Sequence, residues 1–419
     1  MNSTLTQKIL ITLGFLFAYR VLAYIPVPGV DLDVIRQFFD NNQNNALGLA
    51  NMFSGNAIQR LSIISLGVMP YITASIVMEL LAATFPSLGQ MKKERDGMQK
   101  YMQIIRYATI FITLIQAAGV AFGLQQLSGN GHSAVLIDMT SFVILTAFSM
   151  LTGTMLLMWF GEQITQRGIG NGISLIIFAG IVSGIPTAIG NTISQVNAGS
   201  MNFGVVIGIF IIMVATILAI IYVELGERRI PISYSRKTLM QNQNKRIMNY
   251  IPIRLNISGV IPPIFASAIL MFPLTLLKSS TNPIVMQISD YLTPGGLLYN
   301  VLMFILVIFF AFFYASIQFN AKDIAENLKR QGGFIPGVRP GEQTKEFLND
   351  VASKLTVWGA LYLAIISTVP FIIINSLGAS FYFGGTAVLI VVQVALDTMR
   401  KIEAQRVMGQ YETMGNMGL

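Results

Sequence analysis

The chain has 419 residues, 53% of them hydrophobic and 11% charged, with a formal net charge of +8 and no cysteine. A soluble domain carries roughly 25% charged residues, so the composition excludes an ordinary soluble enzyme and points to an integral membrane protein. The lack of cysteine excludes disulfides and thiol chemistry, and the one histidine, His132, lies in the loop segment SGNGHS and reads as inert.

Apolar windows predict ten membrane spans: Ile9–Tyr24, Val68–Ala83, Ile104–Leu124, Phe142–Trp159, Ile173–Thr187, Phe203–Glu224, Val260–Leu277, Leu298–Ile317, Leu355–Asn375 and Phe381–Leu396. Several are shorter than the usual ~20 residues and rich in glycine, which favours tilted or broken helices packed on one another. The first run is followed by Pro26-Val-Pro-Gly29 and not by a small-residue cleavage site, so it reads as a span and not a signal peptide. Between spans 1 and 2, Phe53–Ile64 alternates polar and apolar residues and predicts a short amphipathic helix of about 18 Å, too short to cross a bilayer. Gly67 and Pro70 then break the chain before span 2. Two readings stay open for this stretch: a half-inserted piece with a hinge, covered by protein or a wet cavity, or an amphipathic loop helix leading into an ordinary span.

With the N-terminus inside, 23 of the 27 Lys and Arg residues fall on the inner side and only Arg20, Arg36, Arg60 and Lys278 outside, which places both termini in the cytoplasm. Span 2 opens with Gly67-Val-Met-Pro-Tyr-Ile-Thr-Ala-Ser75 and span 7 with Gly259-Val-Ile-Pro-Pro-Ile-Phe-Ala-Ser267, a match at six of nine positions at an offset of 192 residues. Each half then holds five spans, an odd number, so the two copies lie upside down relative to each other. Inverted repeats with interrupted helices at corresponding positions point to a pathway between the halves. Chance similarity between two helix starts is the plainer alternative.

The span interiors are nearly free of ionisable groups. Glu79 lies towards the inner end of span 2, while Arg20, Arg106, Glu162, Glu224 and Asp397 fall at span ends, where they can snorkel. No metal-ligand cluster, nucleophile–base pair or Walker-type loop is present, so the sequence offers no enzyme, ATPase or proton relay. It suits a passive conduit sealed by apolar side chains and dewetting. Two inner loops stand out. Residues 226–256 carry seven basic residues against one acidic, Glu227, and 318–353 contain a tip, Gly332–Gly341, with four glycines and two prolines around Arg339. Such a tip is shaped for insertion into a partner, whereas the plain positive-inside bias accounts for the first loop.

Six separated motifs, in order, make the chain resemble the SecY family of protein-conducting channels over essentially its whole length. They are IPVPG at Ile25–Gly29, FSGNAIQRLSIISLGVMPYITASI at Phe53–Ile76, QRGIGNGIS at Gln166–Ser174, NISGVIPPIFAS at Asn256–Ser267, GGFIPGVRPGEQT at Gly332–Thr344 and YFGGTAVLIVV at Tyr382–Val392. The resemblance implies an all-α membrane protein of ten helices in two inverted five-helix halves, 1–200 and 201–397, around a central pore, followed by a cytoplasmic tail at 398–419. It implies a pore ring of Val68, Ile72, Ile173, Ile177, Ile264 and Ile390, with Val68 smaller than the usual isoleucine. The helix at 53–64 becomes a plug, with Phe53, Ser54, Gly55, Asn56, Arg60 and Ile64. Spans 2 and 7 form a lateral gate towards lipid, with Thr73, Ile76, Gln116, Asn256, Ala268 and Phe272. Pro263 makes a Pro-Pro pair where one proline is commoner, and Glu79 stands where a neutral amide often occurs.

The function implied is passage of unfolded secretory chains across the bacterial inner membrane, with sideways release of membrane helices, and no cofactor. Its implied partners are the small membrane subunits SecE and SecG, the SecA motor ATPase, the ribosome, signal peptides and nascent chains, and membrane lipid. Docking of motor or ribosome falls to Arg228, Arg229 and Arg339. A secondary transporter or lipid flippase also fits ten spans with inverted repeats, but midplane charges are missing. A pure insertase would need neither plug nor pore ring.

Overall fold

The structure is a computed structural model, which describes residues 3–35, 55, 57–125, 128–129, 132–199, 201–234, 250–278, 292, 296–376 and 385–416. Its helices are α1 Ser3–Leu22, α2 Met69–Thr84, α3 Pro86–Lys93, α4 Arg95–Gln125, α5 Met139–Arg167, α6 Gly172–Asn197, α7 Phe203–Leu225, α8 Ile261–Lys278, α9 Leu297–Gln318, α10 Ala321–Arg330, α11 Glu342–Ser376 and α12 Gly385–Asn416. Three two-stranded antiparallel ribbons accompany them: β1 Ser128–Gly129 with β2 His132–Ser133, β3 Glu227–Pro231 with β5 Tyr250–Arg254, and β4 Ser233–Tyr234 with β6 Gly333–Phe334.

Local chemistry sets the helix starts. Asp138, Asn171, Asn202 and Asn320 cap α5, α6, α7 and α10, each accepting a backbone N–H from the first turn. Proline stands in the first turn of α2 and of α3, where its missing N–H costs nothing. The repeat seen in the sequence has a backbone counterpart. Gly67 and Gly259 are both left-handed, at φ +57° and +66°, and α2 and α8 both begin two residues later. A side chain at either glycine would be strained.

Seven of the described helices are long and apolar enough to cross a membrane, so this is a multi-pass membrane protein. The other three predicted spans correspond to α2, α8 and α12. Helix α2 has only 16 residues and bends by 116° into α3 at its far end, a break the sequence reading, which set its hinge at Gly67 and Pro70, did not expect. Helices α11 and α12 run well past their predicted spans. At 35 and 32 residues they are about 50 Å long against a hydrocarbon core of ~30 Å, so they project beyond it. The helix predicted over Phe53–Ile64 does not appear in its described part: residues 57–68 run as successive turns. The physical reason is long-range pairing. Val27 N–H donates to the Leu61 carbonyl at 2.8 Å and Ile63 N–H to the Ile25 carbonyl at 3.0 Å, which pins residues 61–63 against the IPVPG motif.

The first half packs α1 on α5 and α6, α2 on α3, α4 and α5, α4 on α5, and α5 on α6. The second packs α7 on α11 and α12, α8 on α9 and α11, α9 on α11, and α11 on α12. The halves meet along two seams: α8 against α2 and α4, and α12 against α6 and α1. One core cluster runs through both halves, drawing on α1, α2, α5, α6, α7, α8, α9, α11 and α12.

Candidate functional site

The residues of the expected pore ring all lie in or against the core cluster that runs through both halves. Val68, Ile72, Ile177 and Ile390 are buried in the cluster shared by both halves, and Ile173 and Ile264 pack against it half-exposed. Val68 and Ile72 stand at the start of α2, Ile173 and Ile177 in the first turns of α6, Ile264 in the first turn of α8 and Ile390 in the second turn of α12. The start of α6 is placed by its Asn171 cap and by a bond from Gly172 N–H to the Thr165 hydroxyl at 2.9 Å. Two glycines let it approach α5: a Cβ on Gly172 would strike the Gly161 carbonyl, and one on Gly161 would come within 2.8 Å of Ile173.

Of the expected plug residues, Gly55, Arg60 and Ile64 are described, while Phe53, Ser54 and Asn56 lie outside the described residues. Ala57 and Ile64 are fully buried in the same cluster as the ring. The Arg60 guanidinium stacks on the Tyr24 ring, 4.0 Å from its centroid. The Ser65 hydroxyl donates to the carbonyls of Ser62 and, at 3.1 Å, Ala57, which tightens the turns. Sequence reasoning missed the partnership between IPVPG and residues 61–63; the alternation of prolines with apolar residues was its one available signal.

Among the expected gate residues, Ile76 and Ala268 are buried in the central cluster, one on each side of the seam between α2 and α8. Thr73 is half-buried and returns its hydroxyl to the Met69 carbonyl at 3.0 Å. Gln116 is half-buried on α4, and Phe272 lies in the stretch of α8 described by its backbone alone. Asn256 turns to α7. Its amide donates to Glu224 Oε1 at 2.6 Å and to the Gly259 carbonyl at 3.2 Å, and its oxygen accepts from the Gly259 N–H at 3.0 Å.

Three of the span-end charges find partners within the protein. Glu224 is 4% exposed, bonded to Asn256, and its carbonyl accepts from Arg400 at 3.0 Å. Arg106 and Glu162 form a bidentate pair between α4 and α5 with bonds of 2.8 Å. A partner within reach outweighs solvation for a charge at the edge of the bilayer.

The described parts of the two long loops, 226–256 and 318–353, form one module. Strands β4 and β6 join them, although Tyr234 and Gly333 are far apart in sequence. Ile230 and Ile253 from the β3–β5 ribbon share a small core with Ala321, Ile335 and Leu348. Arg228 and Arg229 sit on this ribbon and Arg339 at the glycine-proline tip, all three exposed. Arg229 Nε donates to Glu227 at 2.6 Å, and that bond holds its guanidinium pKa above the ordinary value. The Thr344 hydroxyl, on a residue that is almost fully buried, donates to the Arg339 carbonyl at 2.8 Å and fixes the tip's backbone while leaving the guanidinium out. Among the described residues neither Arg228 nor Arg339 has an ion pair.

The family model for SecY matches residues 62–399. The chain is 70% identical to the protein translocase subunit SecY of Helicobacter pylori strain 26695 over the full length of both, and 40% identical to that of Escherichia coli K12 across 98% of this chain and 93% of the relative. Among solved structures it is similar to a protein-conducting channel, with a TM-score of 0.68 at 19% identity over 97% of this chain and 94% of that one. It is also similar to Sec61 in a canine ribosome–channel complex, with a TM-score of 0.66 at 18% identity over 97% and 94%. The two structures support the fold, the two relatives the kinship: the chain belongs to the SecY family of protein translocase subunits.

Proposed function

We propose that this protein is the channel through which unfolded secretory chains cross a bacterial inner membrane, and from which membrane helices leave sideways between α2 and α8. Both termini face the cytoplasm. SecE and SecG are its membrane companions, and SecA or the ribosome, docked on the module carrying Arg228, Arg229 and Arg339, supplies the drive. The observation that supports the reading is that apolar residues from α2, α6, α8 and α12, two helices from each half, share one core cluster with Ala57 and Ile64. A passing chain is chemically varied, so a channel must exclude ions while binding it little. A layer of flexible apolar side chains does this by dewetting, whereas a polar ring would leak.

The decisive experiment is vesicle translocation with purified motor. Arg339→Glu, at an exposed tip, leaves the fold intact and sets a carboxylate against whatever acidic group the partner offers, a reversal worth several kcal/mol. Motor-driven translocation falls at least a hundredfold, while the protein reaches the membrane at parental levels. Parental translocation rates would remove Arg339 from the docking surface. Failure of a stalled precursor to cross-link to Ile72 or Ile390 positions would remove the channel itself.

A further inference from the structure

Arg20 occupies the last turn of α1, where a cation is favoured by the helix dipole. It is half-buried, and among the described residues no carboxylate pairs with it. Its Nη1 donates instead to two neutral oxygens, the Gly55 carbonyl at 3.0 Å and the Ser183 hydroxyl at 2.8 Å. Ser183 spends its own proton on the Gly180 carbonyl at 2.7 Å, so its lone pairs face the guanidinium. Gly55 is seated in this socket. It is left-handed, at φ +69°, and a Cβ there would come within 2.8 Å of Arg20 Nη1, 2.9 Å of the Tyr19 hydroxyl and 3.0 Å of Gly180 Cα. Gly55 is thus held between α1 and α6, two helices of the same half.

We propose that Arg20, bridging Ser183 of α6 to the Gly55 carbonyl, is the latch that holds the plug segment over the closed pore. The proposal rests on the reading of residues 53–64 as the plug. Arg20 is a positioning residue: it touches no passing chain in the resting state and acts by keeping Gly55 seated. The choice of partner makes the latch self-releasing. A guanidinium held by a neutral carbonyl in apolar surroundings gives up a strong bond only if another oxygen replaces it. Water supplies that oxygen once an arriving chain wets the funnel. A carboxylate partner would hold the plug through wetting, and an apolar contact would be weakened little by it.

The test measures ion conductance of the channel, reconstituted with its companion subunits in planar bilayers without precursor. Arg20→Gln raises resting conductance about tenfold, the scale set by losing one charge-assisted hydrogen bond. Arg20→Lys, which keeps the charge and can reach one of the two oxygens, stays within about threefold of the parent. Gly55→Ala, which fills the socket from the other side, leaks like Arg20→Gln, and the double variant leaks no more than either single one, as expected for two halves of one contact. Deletion of residues 57–63 is the reference. If the deletion leaks and Arg20→Gln does not, the latch is overturned while the plug stands. If the deletion does not leak either, the plug reading beneath it falls. Should Arg20→Gln not accumulate in the membrane, Ser183→Ala, which removes a single acceptor at a half-buried site, decides the matter: parental conductance there overturns the latch.

Discussion

Ile390 is 1% exposed and packs in one cluster with Val68, Ile72 and Ile177, from two other helices. Its side chain offers no hydrogen bond, so a dry ring costs nothing at that position. An amide does the reverse: left unbonded in an apolar site it costs roughly 1–3 kcal/mol, a cost that water removes. Ile390→Asn therefore destabilises the closed, dry ring relative to the wetted one, by about tenfold in population for each 1.4 kcal/mol. Export of a precursor with a defective signal sequence rises several-fold in cells carrying the variant, and resting conductance rises with it. If neither changes, Ile390 does not line the pore. At this scale the proposed ring rests on motif resemblance, because no local pattern tells a pore isoleucine from a core isoleucine. The Glu224–Asn256 bond was not legible at all. The two residues are 32 positions apart, and each looks in isolation like an ordinary polar residue at the edge of a span.

The segment from Ala57 to Val68 is the element where sequence and structure part. Its amphipathic spacing predicted a helix, but backbone pairing with Ile25 and Val27 and the seating of Leu61 at φ +41° turn it into a chain of turns. Local periodicity cannot register an acceptor more than 30 residues away. By contrast α2 and α8 were legible to within a residue or two at their starts, since Gly, Pro and apolar run are all local signals. The turn segment also leans on α5. A Cβ on Gly153 would collide with the Ile63 carbonyl, so Gly153→Ala must push the segment off its seat or move α5. Backbone offers no rotamer to absorb the clash, and overpacking of this kind costs typically 1–3 kcal/mol. The variant lowers the melting temperature of the purified protein by a few degrees and raises resting conductance. Unchanged conductance with the protein folded would show that residues 62–65 can shift without unseating the segment.

At the scale of the molecule, the two halves are tied unequally. The chain passes between them once, through residues 198–202, from α6 to α7, and both α6 and α12 lie on that side. The seam of α8 with α2 and α4 has no covalent link, so it is the one that can part with least backbone strain. A disulfide between Thr73→Cys and Phe272→Cys tests this, since the protein has no native cysteine to compete. The bond needs Cα atoms within about 7 Å. Oxidation halts translocation and a reductant restores it. Full-rate export with the disulfide quantitatively formed would mean that the seam need not open. The inverted halves and the ten spans were legible from hydropathy and a nine-residue repeat. The joining of the two long loops was not, because β4 and β6 are two residues each and carry no strand signature of their own.

The glycines that start α2 and α8 have one further effect. Gly67 and Gly259 stand at equivalent places in the two copies of the repeat, so Ile72 and Ile264 occupy matching positions five residues beyond them; on the function proposed above, the constriction they help form is a single layer of side chains and not a lined tunnel. An extended polypeptide advances about 3.3–3.6 Å per residue, so a layer about one isoleucine thick grips only two residues or so at any instant. Drag on the moving chain then depends on its bulkiest local residue and hardly on its total length. A motor working on such a channel meets the same resistance at the thousandth residue as at the tenth.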